Sequence, residues 1–292
     1  MILIAESGST KSDWVALNAD GSEHVRFSTM GFNPYFHTAP FIQEELESNS
    51  VIAEIKTRVD YVYFYGAGSS SESLKDIIKD GLTRVMPTAH ILVDHDLLAS
   101  AYSTYTGVPA ITCILGTGSN SCYFDGTSVS EVVPALAYIL GDEGSASYIG
   151  KRLVADFLYK KLPAEMAEDF YNTYGLDKDE IITSVYNKPN ANVYLASFSR
   201  FAGKHMENPY VKEIVREGFA KFADIHIACF EQCREVPIHF VGSVGAIFHE
   251  ILEDVLAERG FTMGQIMRKP VDGLIKYHIE YLKVLDVYQK QS

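Results

Sequence analysis

Cysteine and tryptophan are scarce in this chain, with four and one among 292 residues. The cysteines, at 113, 122, 229 and 233, form no Cys-x-x-Cys pair, which argues against a zinc ribbon, a redox dithiol and a disulfide scaffold. Long hydrophobic runs are missing as well. The longest nearly apolar stretch, 132–140, is nine residues and contains Pro134. A membrane helix needs about 20. Basic residues are the minority, 25 against 38 acidic, for a net charge of −13. Such a field repels nucleic acid and anionic membrane surfaces, so neither is expected as a partner. The opening Met1-Ile2-Leu3-Ile4-Ala5-Glu6 has no basic stretch and soon meets a carboxylate, unlike a signal peptide. A cytoplasmic location is the expectation.

What is present is the mix of an ordinary globular protein, 47% apolar and 22% charged. The length is close to twice a typical domain of ~150 residues, so two domains are expected. Strands are predicted over 2–5, 13–17 and 24–27, with Ser7-Gly8-Ser9-Thr10-Lys11-Ser12 between the first two and Asp20-Gly21 as a hairpin turn between the last two. Helical spacing follows over 40–55, 73–85 and 97–105, alternating with strands over 61–65 and 91–93. The opening order then recurs about 110 residues later: a strand over 111–115, the turn Gly116-Thr117-Gly118-Ser119-Asn120, a strand over 121–124, Asp125-Gly126, and a strand over 129–133. This reads as an internal duplication. The second half is more helical (145–162, 165–174, 177–187, 193–233), with a strand over 236–241, Gly242-Ser243-Val244-Gly245, a helix to about 257 and a final helix over 271–287.

Three Gly/Ser/Thr turns each follow an apolar strand. Such turns bring backbone N–H groups and hydroxyls to one point, which suits phosphate oxygens. The first is not a P-loop, because Thr10 precedes Lys11, Ala5 stands where the earlier glycine belongs, and a strand follows. Two turns in duplicated positions and a third of the same kind favour a nucleotide clamped between domains. Glu6 beside the first turn would be repelled by phosphate unless a cation intervened, which suggests Mg²⁺ there, with Asp13 as a helper. Asp96, after the strand over 91–93, is either a helix N-cap or the acceptor of a proton from an attacking hydroxyl, and His95 beside it reads as structural. Gly141-Asp142-Glu143-Gly144-Ser145 opens a long helix, where its carboxylates either cap that helix or accept hydrogen bonds from sugar hydroxyls.

Taken together, Glu6-Ser7-Gly8-Ser9-Thr10-Lys11, Gly116-Thr117-Gly118-Ser119-Asn120, Leu140-Gly141-Asp142-Glu143-Gly144-Ser145 and Gly242-Ser243-Val244 resemble the motifs of the N-acetylglucosamine kinase-like proteins. These share the BadF/BadG/BcrA/BcrD ATPase family within the sugar kinase, heat-shock protein and actin superfamily. The resemblance spans residues 1 to about 287. It implies an α/β fold of two ribonuclease-H-like (actin-like ATPase) domains with an interdomain nucleotide cleft. The first would cover 1–108 and the second 109–270, with the C-terminal helix 271–288 packing back on the first. By motif match, Gly8, Ser9, Thr10, Lys11, Gly116, Thr117 and Gly118 would hold the phosphates of ATP, and Gly242 and Ser243 would lie near its adenosine. Asp96 would fall on the catalytic aspartate, Asn33, Asn120, Gly141 and Asp142, with Asp96, on sugar-contacting positions, and Glu6 on Mg²⁺. The implied activity is ATP-dependent phosphorylation of a sugar hydroxyl, with N-acetylglucosamine or a related amino sugar as substrate and a homodimer allowed for. An ATPase activating a partner dehydratase or reductase is the alternative, but no cysteine here follows the cluster-binding pattern of such activators. Tyr138-Ile139 stands where mammalian-type kinases carry Gly-Trp.

Overall fold

The computed structural model describes residues 1–8 and 10–286. Ser9 and the stretch 287–288 of the expected final helix lie outside the described residues. The chain separates into two compact units: Met1–Tyr105 together with the chain from Pro270 onward, and Thr106–Lys269.

The first unit is built on five strands: β1 Ile2–Ser7, β2 Lys11–Leu17, β3 Glu23–Met30, β4 Tyr61–Gly66 and β5 His90–His95, in the order β3-β2-β1-β4-β5. The strands β1, β2 and β3 form an antiparallel meander, whereas β4 and β5 run parallel to β1. Helices α1 Ala39–Ser48, α2 Ser50–Ile55, α3 Glu72–Val85 and α4 Asp96–Thr104 complete its first part. β1 is apolar throughout its first four residues because both faces are covered. Leu3 and Ala5 join a core with Ile42, Ile52 and Leu82, while Ile2 and Ile4 join another with Ala99 and Leu274. The single helix expected over 40–55 is two. Asn49 ends α1 in extended backbone, and its side chain then accepts the amides of Val51 and Ile52 to start α2.

The second unit repeats the plan. Its strands are β6 Ala110–Leu115, β7 Ser119–Phe124, β8 Val129–Ser130, β9 Ile238–Val241 and β10 Met263–Met267. Their order, β10-β9-β6-β7-β8, is that of the first sheet read in mirror sequence, with β6, β7 and β8 antiparallel and β9 and β10 parallel to β6. The duplicated hairpins of the sequence are thus the duplicated halves of two like sheets. β8 has two residues rather than the five expected. Its continuation carries the short helix α5 Ala137–Leu140, with Ala137 in the left-handed region at φ 55°. The helices that follow are α6 Ala146–Leu158, α7 Ala164–Tyr174, α8 Lys178–Tyr186, α9 Ala191–Ser197, α10 Ser199–Lys204 and α11 Pro209–Phe222. α11 passes into a π-helical turn over Ala223–Ile227, and α12 Ser243–Ile247 and α13 His249–Glu258 flank β9 and β10. Buried phenylalanines at 170, 198, 201, 219 and 222 fill their shared core.

The last helix, α14 Val271–Glu280, belongs to the first unit, where it packs on α4, β1 and β2. Tyr277 stacks on Tyr102 with centroids 4.0 Å apart, and fully buried His278 meets the Tyr65 hydroxyl at 2.9 Å.

Candidate active site

In the first unit, Ser7, Gly66 and His95 sit opposite one another at the C-terminal ends of three parallel strands. Open α/β sheets bind ligands outside this edge. The register brings together Glu6, Gly8, Lys11, the Gly66–Gly68 turn and Asp96. Ser7 Oγ is buried and accepts from both Ser12 Oγ (2.6 Å) and the Phe32 amide (2.9 Å), tying the first turn to the chain that leads into Asn33. Asn33 Oδ1 accepts the Tyr35 amide at 3.0 Å. It lies so close to Gly68 that a Cβ there would come within 2.5 Å. Asn33 is thereby fixed at the same edge as Asp96.

Asp96 is the first residue of α4. The N-cap is His95, whose Nδ1 accepts the Leu98 amide at 3.3 Å, so the capping alternative for Asp96 falls and the structural reading of His95 stands. Asp94, two residues earlier, turns to Lys75 on α3, 3.1 Å away. Burial, together with the charges of Asp96 and Asp13, pushes the Glu6 carboxyl up to about 8, against a smaller pull from Lys11. Lys11 itself reaches Asp13 at 2.5 Å, and Asp13 also accepts Ser28 Oγ at 2.8 Å. Among the described residues no three His, Cys, Asp or Glu side chains converge on one metal position. Mg²⁺ does not require that, since it keeps several waters and takes one or two carboxylates plus phosphate oxygens. Burial and the neighbouring carboxylates favour the protonated form of half-buried Glu6, and a cation at this place would favour its ionised form, which fits such a role.

In the second unit the Gly116-Thr117-Gly118 turn is gripped by the start of α6. The Ala146 amide donates to Gly116 O at 2.9 Å and the Ser147 amide to Thr117 O at 3.1 Å. In a trans peptide the N–H points opposite to the C=O. The amides of Thr117 and Gly118 therefore point away from α6. The amides of Gly8, Gly116 and Gly242 are engaged instead with Lys11 O, Gly118 O and Met267 O, so these glycines shape the turns. Among the described residues nothing lies within 4 Å of where a Gly116 Cβ would be, leaving that side open for close approach. Gly242, at φ +123°, sits so tightly on the second turn that a Cβ would come within 2.3 Å of Leu115 O. Exposed Ser243 then opens α12.

Asp142 does not stand apart from the Gly/Ser/Thr turns, as its sequence position suggests. At φ 58° and 8% exposed, it accepts the Ser119 amide (3.2 Å) and Ser147 Oγ (3.2 Å). A Cβ on Gly118 would lie 2.8 Å from its Oδ1. Burial raises its pKa, with those two hydrogen bonds opposing the shift. Asp142 thus clasps the second turn to α6. Gly141 is buried beside it, its amide donating to Ala137 O at 2.7 Å. Asn120, half-buried on β7, uses its Oδ1 on the Ser121 amide at 2.8 Å. The second unit thus gathers Gly116, Thr117, Gly118, Asn120, Gly141, Asp142, Gly242 and Ser243 around one sheet end. Lys151, which sequence reasoning missed, donates to Tyr138 O at 2.6 Å and anchors the chain before Gly141. Its only sequence signal is a position one turn into α6.

A Porphyromonas gingivalis protein, provisionally named an N-acetylglucosamine kinase, has this architecture with 37% identity over 97% of this chain and 100% of its own, at a TM-score of 0.91. The chain belongs to that protein's family. A Chromobacterium violaceum protein provisionally given the same name aligns over 94% of this chain and 98% of its own at 15% identity and a TM-score of 0.74. A ROK family glucokinase from Streptomyces griseus, solved with glucose and AMPPNP, aligns over 94% and 97% at 15% identity and a TM-score of 0.56. The last two share the sugar-kinase, actin-like fold with this chain. No protein-family profile matches it, and neither does any curated protein.

Proposed function

We propose that the protein is an ATP-dependent sugar kinase acting on N-acetylglucosamine or a closely related amino sugar. The observation that carries this reading is Asp96, uncommitted to capping, at the strand edge where Asn33 and the first phosphate turn also lie. Asp96 accepts the proton of the sugar hydroxyl as that oxygen bonds to the γ-phosphorus and the bond to the β-phosphate oxygen breaks, releasing ADP. Thr10 and Lys11 in one unit, with the outward amides of Thr117 and Gly118 in the other, hold the phosphates. Gly242 and Ser243 lie by the adenosine, and Asn33, Asn120, Gly141 and Asp142 orient the sugar. Glu6, with Asp13 beside it, would hold Mg²⁺, which when bound neutralises phosphate charge. The family relationship to the Porphyromonas protein supports the amino-sugar substrate.

A panel of hexoses, amino sugars and N-acetylated amino sugars, assayed for ADP release with Mg-ATP, tests the proposal. Sugar-dependent ADP release greatest with N-acetylglucosamine or a close relative is expected. ADP release that no sugar increases would overturn the kinase reading.

A further inference from the structure

The run 141–145 is braced by an element more than sixty residues further along the chain. α11 passes so close that a Cβ on Gly218 would lie 3.1 Å from the Gly144 Cα, and one on Gly144 would lie 3.0 Å from the Phe219 ring. The helix then widens into the π-helical turn over Ala223–Ile227. Single π turns shift side chains out of α-helical register and recur at functional sites. This one sets His226 Nε2 at 3.5 Å from Glu143 Oε2. The imidazole is 3% exposed and stacks on Phe222 at 5.1 Å, while its own carbonyl accepts Ser121 Oγ at 2.6 Å. Its Nδ1 is buried with no hydrogen-bond partner among the described residues.

Asp142 and Glu143 differ in what remains to them. Each Asp142 oxygen already accepts one hydrogen bond, from Ser119 or Ser147, in a buried clasp. Glu143 keeps 16% of its side chain exposed, and among the described residues its one ion-pairing contact is His226. Burial lowers the pKa of the imidazole against the opposing pull of Glu143, which favours the neutral ring, and a proton assigned to Nε2 faces the carboxylate. A neutral donor fixes one carboxylate oxygen without cancelling the charge, leaving the other oxygen free to accept. A lysine in its place would draw the carboxylate into an ion pair.

The structure assigns Glu143 as a further acceptor for a sugar hydroxyl and His226 as the residue that positions it, an assignment that rests on the sugar-kinase reading above. A glutamine amide nitrogen can occupy the place of Nε2, whereas an asparagine reaches only that of Nδ1. The test compares Glu143→Gln, His226→Gln and His226→Asn. It measures binding of N-acetylglucosamine, or of whichever panel sugar the wild type turns over fastest, by calorimetry, along with KM for sugar and for ATP. Glu143→Gln and His226→Asn are expected to weaken sugar binding roughly ten- to hundredfold, the scale of a hydrogen bond to a charged group. His226→Gln should stay within a few-fold of wild type, and KM for ATP should hold in all three. Wild-type sugar affinity in Glu143→Gln would overturn the assignment to Glu143. Equal affinities in the two His226 variants would overturn the positioning role. Glu143→Gln, at a partly exposed site, remains informative if a His226 variant fails to fold. Failure of the sugar-kinase reading shows separately, as a wild type that turns over no sugar.

Discussion

Asp96 opens α4 without capping it, and that separates its chemistry from its structural role. Asp96→Asn keeps size and polarity and leaves the His95 cap in place, and the loss of favourable charge in the first turn costs about 0.3–1 kcal/mol. As a proton acceptor Asn is far weaker, and kcat should fall roughly 10²–10⁴-fold with ATP binding retained. Asp94→Asn breaks the pair with Lys75 and should cost much less activity. Steady-state kinetics of both variants checks this, and turnover by Asp96→Asn within a few-fold of wild type would remove Asp96 from the proton-transfer role. At this scale the sequence was a partial guide. The carboxylate between strand and helix was legible because its neighbours on both sides are contiguous. The Asp142 clasp on Ser119 and the Glu143–His226 pair were not, because their partners lie 23 and 83 positions away and no local periodicity connects them.

Elements show the same division. The strand–turn–strand repeats were readable from apolar runs broken by Gly and Asp-Gly, since hairpin geometry is local. β10 was not foreseen, because Met263-Gly264-Gln265-Ile266-Met267 is only partly buried at a sheet edge and lacks an apolar run. The break at Asn49 escaped notice because apolar spacing continues across it. The last helix illustrates what a buried residue does to its element. His278 on α14 is held down to about 3 by burial. In the unfolded chain a histidine takes up its proton near 6.5. Between these values the unfolded state binds more protons, so stability is intact above pH 6.5 and is lost as pH falls toward 3. The slope from this one group approaches ~1.4 kcal/mol per pH unit. His278→Gln removes that contribution. Urea midpoints from pH 7.5 to 4.5 should therefore fall less steeply in the variant, with the remaining slope coming in part from buried His226 and His239, which are shifted the same way. Parallel slopes in wild type and variant would place the acid sensitivity elsewhere.

At the scale of the whole molecule, no described helix is long and apolar enough to cross a membrane. A chain of net charge −13 binds the polyanion ATP only where backbone amides and a cation offset its field. If one nucleotide is held by turns from both units, its binding must be sensitive to a change in either. Gly8 and Gly116 allow a clean comparison. Among the described residues a methyl at Gly8 meets only Lys11 O, at 3.7 Å, and one at Gly116 meets nothing within 4 Å, so Gly8→Ala and Gly116→Ala should fold as wild type does. If the turns hold phosphate as proposed, each methyl would nonetheless occupy space that the phosphate needs. A non-hydrolysable ATP analogue with Mg²⁺ at 100 times its Kd should stabilise the wild type by ~2.7 kcal/mol, seen as a rise of several degrees in Tm. Both alanine variants should match the wild-type Tm without nucleotide and lose most of that rise with it. A rise lost in Gly116→Ala but kept in Gly8→Ala would mean that the second unit alone binds the phosphates, and the first turn would then be a hairpin and nothing more.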